Sequence, residues 1–383
     1  MNAPANERME IDPALVGGVI GLVVLGTIMV GSASISIADR ATSEPYYYLL
    51  RHAGALAIGF ACLAVAVLVP VETWYRLSWL SLLGGIALLA VVLVPNVGQT
   101  VNGASRWLSV GPFTLQPSEP ARLCLLVYIA SYAVRRHREL TSSFLGFAKP
   151  LAVIGIAAVL LLKEPDFGAA VVLVCAALGV LFAAGARLRD VTLAVAFAAG
   201  TLAVLAYSAE YRMQRLTAFL DPWADPFASG FQLTQSLIAI GRGDWIGVGL
   251  GESVQKLFYL PEAHTDFVFA VLAEELGLVG STTVIALFTL VVHRAVTIGR
   301  RALDAQLPFH GLVAIGIGLT LGLEAFINIG VNTGLLPTKG LTLPLLSYGR
   351  SSTVVTLAAL GLLFRIRHEL GAAERRAKKR SAA

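Results

Sequence analysis

Charged side chains make up only 14% of this 383-residue chain, and the informative ones are bunched. His264-Thr265-Asp266 stands immediately before a long apolar run. A carboxylate at the first turn of a helix is stabilised by free N–H groups and the helix dipole, so Asp266 taken alone reads as a helix cap. Beneath it Ala270, Ala273, Gly277 and Gly280 recur at helical spacing; that wall of small residues either lines a groove or packs another helix, and the spacing leaves both open. Gln116-Pro117-Ser118-Glu119 with Arg122, and Lys163-Glu164-Pro165-Asp166, each pair acids with bases at a helix end. Such ends bind a phosphate or cap and staple a bundle equally well. Glu274, Glu275 and Glu324 lie deeper in apolar sequence. There a charge costs about 2.5–3.5 kcal/mol on insertion scales, so structural ion pairs are expected of all three. Glu274 lies about 12 Å along a helix axis from Asp266, too far for a direct partner.

The elements that position these residues follow from hydropathy. At 56% hydrophobic residues and a mean hydropathy of +0.75, the chain departs from soluble globules, which carry about 25% charged residues. An all-α integral membrane bundle is expected. Stretches able to cross about 30 Å of hydrocarbon fall at 14–37, 53–71, 78–95, 119–134, 150–163, 167–186, 191–208, 266–292, 311–333 and 352–366. Ten spans put both termini on one side, and the Lys/Arg excess at Arg135, Arg136, Arg138, Arg300, Arg301 and the C-terminal cluster makes that side cytoplasmic. The opening residues lack a basic n-region, so 14–37 reads as a retained span. The expected organisation is a tail over 1–13, a membrane domain over 14–368 and a basic tail over 369–383.

Segments 96–122, 163–166, 209–265 and 334–351 therefore face outward and hold most of the polar motifs. The 209–265 stretch is expected to fold as interfacial or re-entrant helices over the bundle mouth. Its run from Gly241 to Gly251 lacks a preceding strand and a Gly-Lys-Ser/Thr, so close backbone packing is expected there rather than a nucleotide loop. Gly316 and Gly318 likewise read as helix packing. The segment from Asn332 to Ser352, broken by Pro337 and Pro344, is tolerated at membrane depth only when buried in protein or lining a wet cavity, which favours a site. Cys62, Cys124 and Cys175 show neither a disulfide framework nor zinc spacing. The Arg375–Arg380 cluster suits anionic membrane lipid rather than nucleic acid.

Several motifs in order then carry a resemblance: Asn102-Gly103-Ala104-Ser105-Arg106-Trp107, Gln116-Pro117-Ser118-Glu119, Pro165-Asp166-Phe167-Gly168, Gln255 through Phe267 with its Pro261-Glu262-Ala263-His264-Thr265-Asp266, and Pro337-Thr338-Lys339-Gly340-Leu341-Thr342-Leu343-Pro344. Together, over roughly residues 14–368, they resemble the SEDS family of shape, elongation, division and sporulation proteins, and its division-type members more than its elongation-type ones. The resemblance implies a peptidoglycan glycosyltransferase that polymerises lipid II outside the cytoplasmic membrane, at the septum, with a class B penicillin-binding transpeptidase and other division proteins as partners. It places the family's essential aspartate on Asp266, which as a general base would activate a sugar hydroxyl. The lipid-diphosphate leaving group calls for positive charge. Lys256 and Arg122 come first as its contacts, followed by Arg106, Lys163, Arg215 and Lys339, with Glu119 and His264 as further substrate residues and a divalent cation, Mg or Mn, as a possible aid. Competing readings are a lipid II flippase, which would lean on Glu274 and Glu324, and a non-catalytic scaffold. The chain departs from the family pattern at Arg122, where Lys is usual, at Pro120, at Arg350 in place of a second Gly, and at Arg242 and Asp244 in the Gly-rich run.

Overall fold

The computed structural model describes residues 10–381 except 102, 103, 112, 208–218, 229, 258 and 339. Helix α1 (Pro13–Thr42) begins at Asp12, whose carboxylate accepts the Leu15 N–H at 3.1 Å, with Pro13 in the first turn. There follow α2 (Tyr47–Leu68), α3 (Val71–Arg76), α4 (Ser78–Val91), α5 (Ser118–Arg135), α6 (His137–Ser142), α7 (Phe144–Lys163), α8 (Phe167–Ala183), α9 (Leu188–Tyr207), α10 (Phe231–Gly243), α11 (Val268–Asp304), α12 (Pro308–Asn332) and α13 (Arg350–Ser381). Each of the ten expected segments falls on a helix. Among the described residues α1, α2, α7, α11 and α12 are long and apolar enough to cross a membrane, and α4 and α8 are shorter apolar helices. Leu50, Leu68, Leu145 and Phe197 point outward, each at least 70% exposed; such side chains suit hydrocarbon rather than water.

Among these long apolar helices α12 is the most buried. It packs against α5, α8 and α11, and the small residues are why. A Cβ at Gly316 would meet Leu126 at 2.3 Å, one at Gly318 would meet Ala295 at 3.0 Å, and Gly299 and Gly311 would each bring a Cβ within 2.8 Å of the other's carbonyl. Close crossing of this kind yields dispersion contacts where lipid offers no hydrophobic drive. Helix α13 passes position 368 without interruption and ends at Ser381, so the expected boundary at 368/369 marks a change of composition within one helix.

The all-helical expectation misses a small antiparallel sheet, β1 (Gly98–Val101), β2 (Ala104–Val110) and β3 (Phe113–Leu115), in that order. Leu108 pairs with Gly98 on one side and Leu115 on the other. The run is too short and too interrupted to read as a span, yet its Val, Thr, Trp and Phe residues favour strands. The Arg350 guanidinium donates to the Thr114 hydroxyl, and the Gln116 N–H donates to Ser351 Oγ at 2.9 Å. Where flexibility would be expected of a second glycine, Arg350 staples the sheet to α13.

Helix α11 is broken. Gly277 has φ 64° and ψ −157°, a region that is essentially glycine-only. The Gly-rich loop after α10 fills the break: the Val248 and Gly249 N–H groups donate to the carbonyls of Glu274 and Glu275 at 2.9 and 3.1 Å, while the Leu278 and Val279 N–H groups donate to Asp244 and Trp245 at 2.9 and 3.1 Å. Backbone groups freed inside an apolar bundle must find such partners. A Cβ at Gly247 would lie 2.1 Å from the Glu275 carbonyl, so the loop can insert only as glycine. The expected span 266–292 is thus a short buried half-helix, 268–276, followed by a long one running on to Asp304.

Candidate active site

Asp266 sits in the turn just before α11. The Glu262 carbonyl accepts the N–H groups of Thr265 and Phe267 at 3.1 and 3.2 Å. From α12, Asn328 and Asn332, one turn apart, donate their side-chain amides to the Asp266 carbonyl at 2.9 and 3.0 Å. Asn332 Oδ1 accepts the Ala270 N–H at 3.1 Å, and Asn328 also donates to the Leu341 carbonyl at 2.6 Å. Two amides thereby tie the helix start, α12 and the 340–341 backbone into one unit. The Asp266 carboxylate lies against Gly340, where a Cβ would stand 3.0 Å from Oδ2. Burial, reinforced by the Glu262 and Asp166 charges and opposed by Arg106, pushes Asp266 up to about 7. A carboxyl that titrates near working pH is suited to general-base work.

The second wall joins the two helix-end motifs. Asp166 caps α8 by accepting the Ala169 N–H at 3.1 Å, and its other oxygen accepts from Gln116 Nε2 at 3.1 Å and Ser118 Oγ at 3.2 Å. Here capping and stapling is what Asp166 does. Arg106, from β2, donates to the carbonyls of Glu164, at 3.0 Å, and Pro165, and its charge is felt by both Asp266 and Glu164. Glu164 is fully buried with neither carboxylate oxygen hydrogen-bonded; burial and the Asp166 charge push it up to about 8, so it is a neutral acid at pH 7. Lys163 is exposed at the end of α7. His264 is stacked by Tyr48 and Tyr348, with ring centroids 4.8 and 5.7 Å away, and burial keeps it below its ordinary range, hence neutral.

The remaining expected contacts lie elsewhere. Arg122 is buried between Glu119, at 2.6 Å, and Glu324, beside a cavity of about 40 Å³ also lined by Thr320 and Thr356. Lys256 is buried against Glu275, at 2.7 Å, and Ser32, at 2.8 Å. Arg242 holds Glu274 at 3.1 Å. Glu274, Glu275 and Glu324 are therefore the ion pairs their depth predicts, and the two cations placed first for the diphosphate are already neutralised by them, because a buried charge needs its partner more than a distant ligand. Arg215 and Lys339 lie outside the described residues. Among the expected cations that are described, Arg106 is the one whose charge reaches Asp266. No group of three or more His, Cys, Asp or Glu is placed to hold a metal among the described residues.

Sequence reasoning missed Asn328 as a site residue and took Asn332 only as the start of a segment that favours a site. Their signal was two amides four residues apart in an otherwise apolar helix, a pattern that asks for buried backbone partners. Asp166 was read only as part of a corner, and Tyr48 was not singled out at all, because its contact is made across more than 200 residues of chain.

A family model described as "cell cycle protein", covering the FtsW, RodA and SpoVE proteins, matches residues 14–371. A probable peptidoglycan glycosyltransferase FtsW of Alkalilimnicola ehrlichii is 54% identical over 98% of this chain and 93% of its own length, and that of Thioalkalivibrio sulfidiphilus is 55% identical over 94% and 90%. Among solved structures, one described as showing structural coordination of polymerization and crosslinking by a peptidoglycan synthase complex superposes with a TM-score of 0.78 at 29% identity, covering 95% of this chain and 99% of the other. The rod shape determining protein RodA of Thermus thermophilus gives a TM-score of 0.69 at 28% identity, covering 94% and 97%.

Proposed function

The chain belongs to the SEDS family of cell-cycle membrane proteins, and on that premise we propose that Asp266 is the general base with which it, a peptidoglycan glycosyltransferase, joins lipid II units. The observation that carries this reading is the Asp266 carboxyl, held by its own backbone to Asn328 and Asn332 and raised to about 7. The acceptor sugar's 4-hydroxyl loses its proton to Asp266 as its oxygen bonds to the anomeric carbon of the donor. The bond from that carbon to the diphosphate oxygen breaks, and undecaprenyl diphosphate leaves with the electron pair. Such a leaving group departs without a second acid, unlike the alcohol released in glycoside hydrolysis, which needs one. Arg106 supplies positive charge beside the site. Where a divalent cation takes part, Mg²⁺ characteristically uses one or two carboxylates plus substrate phosphates, and Asp266 and Asp166 are the carboxylates on hand.

The protein is a multi-pass membrane protein. Cytoplasmic termini, an outward-facing site, a septal location and partnership with a class B penicillin-binding transpeptidase and other division proteins belong to the same proposal; the solved peptidoglycan synthase complex supports the transpeptidase partner. The test is polymer formation from lipid II by the purified protein with its cognate transpeptidase. Asp266→Asn should lose about 10²–10⁴-fold in rate with folding intact. Absence of polymer from both, with lipid II crossing vesicle bilayers, would replace the enzyme by a flippase; activity untouched by the substitution would remove Asp266 from the reaction.

A further inference from the structure

The face that bears the termini leaves positive charge over in one place. Along much of it a cation meets an acid: Arg294 meets Asp12, Arg301 meets Glu374, Arg365 meets Glu369 and Arg367 meets Glu10. Around α6 that balance fails. Arg135, Arg136, Arg138, Lys149, Arg187 and Arg189 are all exposed there. Glu139 takes both Arg136, at 2.5 Å, and Lys149, at 2.9 Å, while Asp190 meets Arg189 at 3.3 Å. Arg187 has carbonyls instead of an acid: it donates to Thr141 at 2.9 Å and to Ser142, pinning the turn between α8 and α9 to the end of α6. That C-cap uses two of the five N–H donors of a guanidinium. Arg138 stands one turn before Thr141 on α6, and among the described residues its side chain has no partner. Membrane topology asks only for an excess of Lys and Arg near the helix ends; it does not dictate what lies between them. Phe144 and Leu145 at the start of α7 and Leu188 at the start of α9 are 52%, 71% and 65% exposed among these cations. Apolar side chains interleaved with guanidinium groups suit the boundary of a bilayer, which offers hydrocarbon to the first and phosphate to the second. An acidic protein segment would match the cations and leave the apolar side chains unused.

We propose that this patch, where α5 and α8 end and α7 and α9 begin, binds the headgroup of an anionic phospholipid in the leaflet on the terminus side. Arg138 and Arg187 contact its phosphate, and Phe144, Leu145 and Leu188 lie against its acyl chains. Guanidinium groups hold phosphate oxygens in bidentate pairs, and two of them without a counter-charge fit a head with two phosphates. Diphosphatidylglycerol should therefore bind more tightly than phosphatidylglycerol, and phosphatidylcholine least. The site goes beyond the glycosyltransferase reading and stands or falls without it. The full-length protein in detergent is titrated with each lipid, and bound copies are counted by native mass spectrometry. Arg138→Gln should weaken the tightest-bound diphosphatidylglycerol on the order of fivefold, the worth of one cation at a lipid surface. Lys378→Gln combined with Lys379→Gln, in the exposed end of α13, should leave that copy unchanged. Phosphatidylcholine bound as tightly as the anionic lipids would overturn the proposal. So would equal weakening by the α13 variant, which would move the lipid to that tail, and so would displacement by inorganic phosphate at matched concentration, which would reduce the patch to a simple anion site. A soluble poly-glutamate peptide that binds at Arg138 where diphosphatidylglycerol does not would make it a dock for acidic protein instead. Arg187→Gln should act like Arg138→Gln; should it misfold for want of its C-cap, Arg138→Gln decides the matter, because that side chain holds nothing in place.

Discussion

Asp266 can act as a base only when ionised, so the rate constant kcat/KM for polymerisation should rise with pH through about 7 and level off above it. Glu262→Gln removes a like charge that raises Asp266 and should move this limb to lower pH; an unmoved limb would mean that another group titrates. The same raised carboxyl weakens the fold. Its folded value exceeds its unfolded one, so its stabilising contribution is complete in acid and lost as pH rises toward 7, and Asp266→Asn should be at least as stable as wild type above that point. Arg122 belongs to a different argument. Arg122→Leu leaves Glu119 and Glu324 buried without a counter-charge, at a cost of about 3–5 kcal/mol, while KM for lipid II in the folded fraction should stay unchanged. Adding Glu119→Gln and Glu324→Gln should restore the melting temperature. A raised KM with no such recovery would return Arg122 to the substrate.

At the level of elements, the break in α11 is what brings the outer loop into the bundle. Glu274, beside the break, accepts from Ser253 Oγ and from the Val254 and Gln255 N–H groups at 3.2 and 3.3 Å, while Glu275 holds α1 through Ser32 at 2.6 Å. One glycine therefore governs how the loop, α1 and the half-helix behind Asp266 meet. In Gly277→Ala the backbone strain alone costs about 1–3 kcal/mol, and the new Cβ would stand 2.4 Å from the Gly247 nitrogen. The variant should melt lower in detergent, and its amides at 247–249 should exchange faster; unchanged exchange would show that the loop is not held by this break.

Across the whole molecule, the face bearing the termini is bound by ion pairs. Glu369 on α13 accepts from Arg365 at 2.7 Å and from the Val71 N–H at the start of α3 at 3.1 Å, and it pairs with His310 on α12 at 2.8 Å. Although burial opposes it, these partners hold its carboxyl down at about 2. A depressed value means stability present above the unfolded carboxylate range and lost as pH falls toward 2, so Glu369→Gln should cost on the order of 3 kcal/mol at pH 7 and progressively less in acid. A flat difference between the two proteins across pH would contradict this linkage. Arg367 donates to Glu10 at 2.9 Å and Arg301 to Glu374 at 2.7 Å, which explains why α13 continues as a helix where its sequence turns polar.

Hydropathy was enough to put a helix at each of the ten expected segments, five of which are long and apolar enough to cross a membrane among the described residues, because twenty apolar residues have few other homes. Depth alone also marked Glu274, Glu275 and Glu324 as ion-pair members, since hydrocarbon tolerates no lone charge, and ordered motifs pointed to Asp266. Their partners were not legible. Arg122, Lys256 and Arg242 each had a plausible outward role; Glu119 stood within reach of Arg122 along its own helix, but only packing brought Glu324 to Arg122, Glu275 to Lys256 and Glu274 to Arg242. The sheet over 98–115 was hidden because strand pairing is a relation between segments, whereas a membrane helix satisfies its backbone within itself. The role of the Asn328 and Asn332 amides was invisible for the same reason: they act on the carbonyl of Asp266, which only the tertiary fold carries to them.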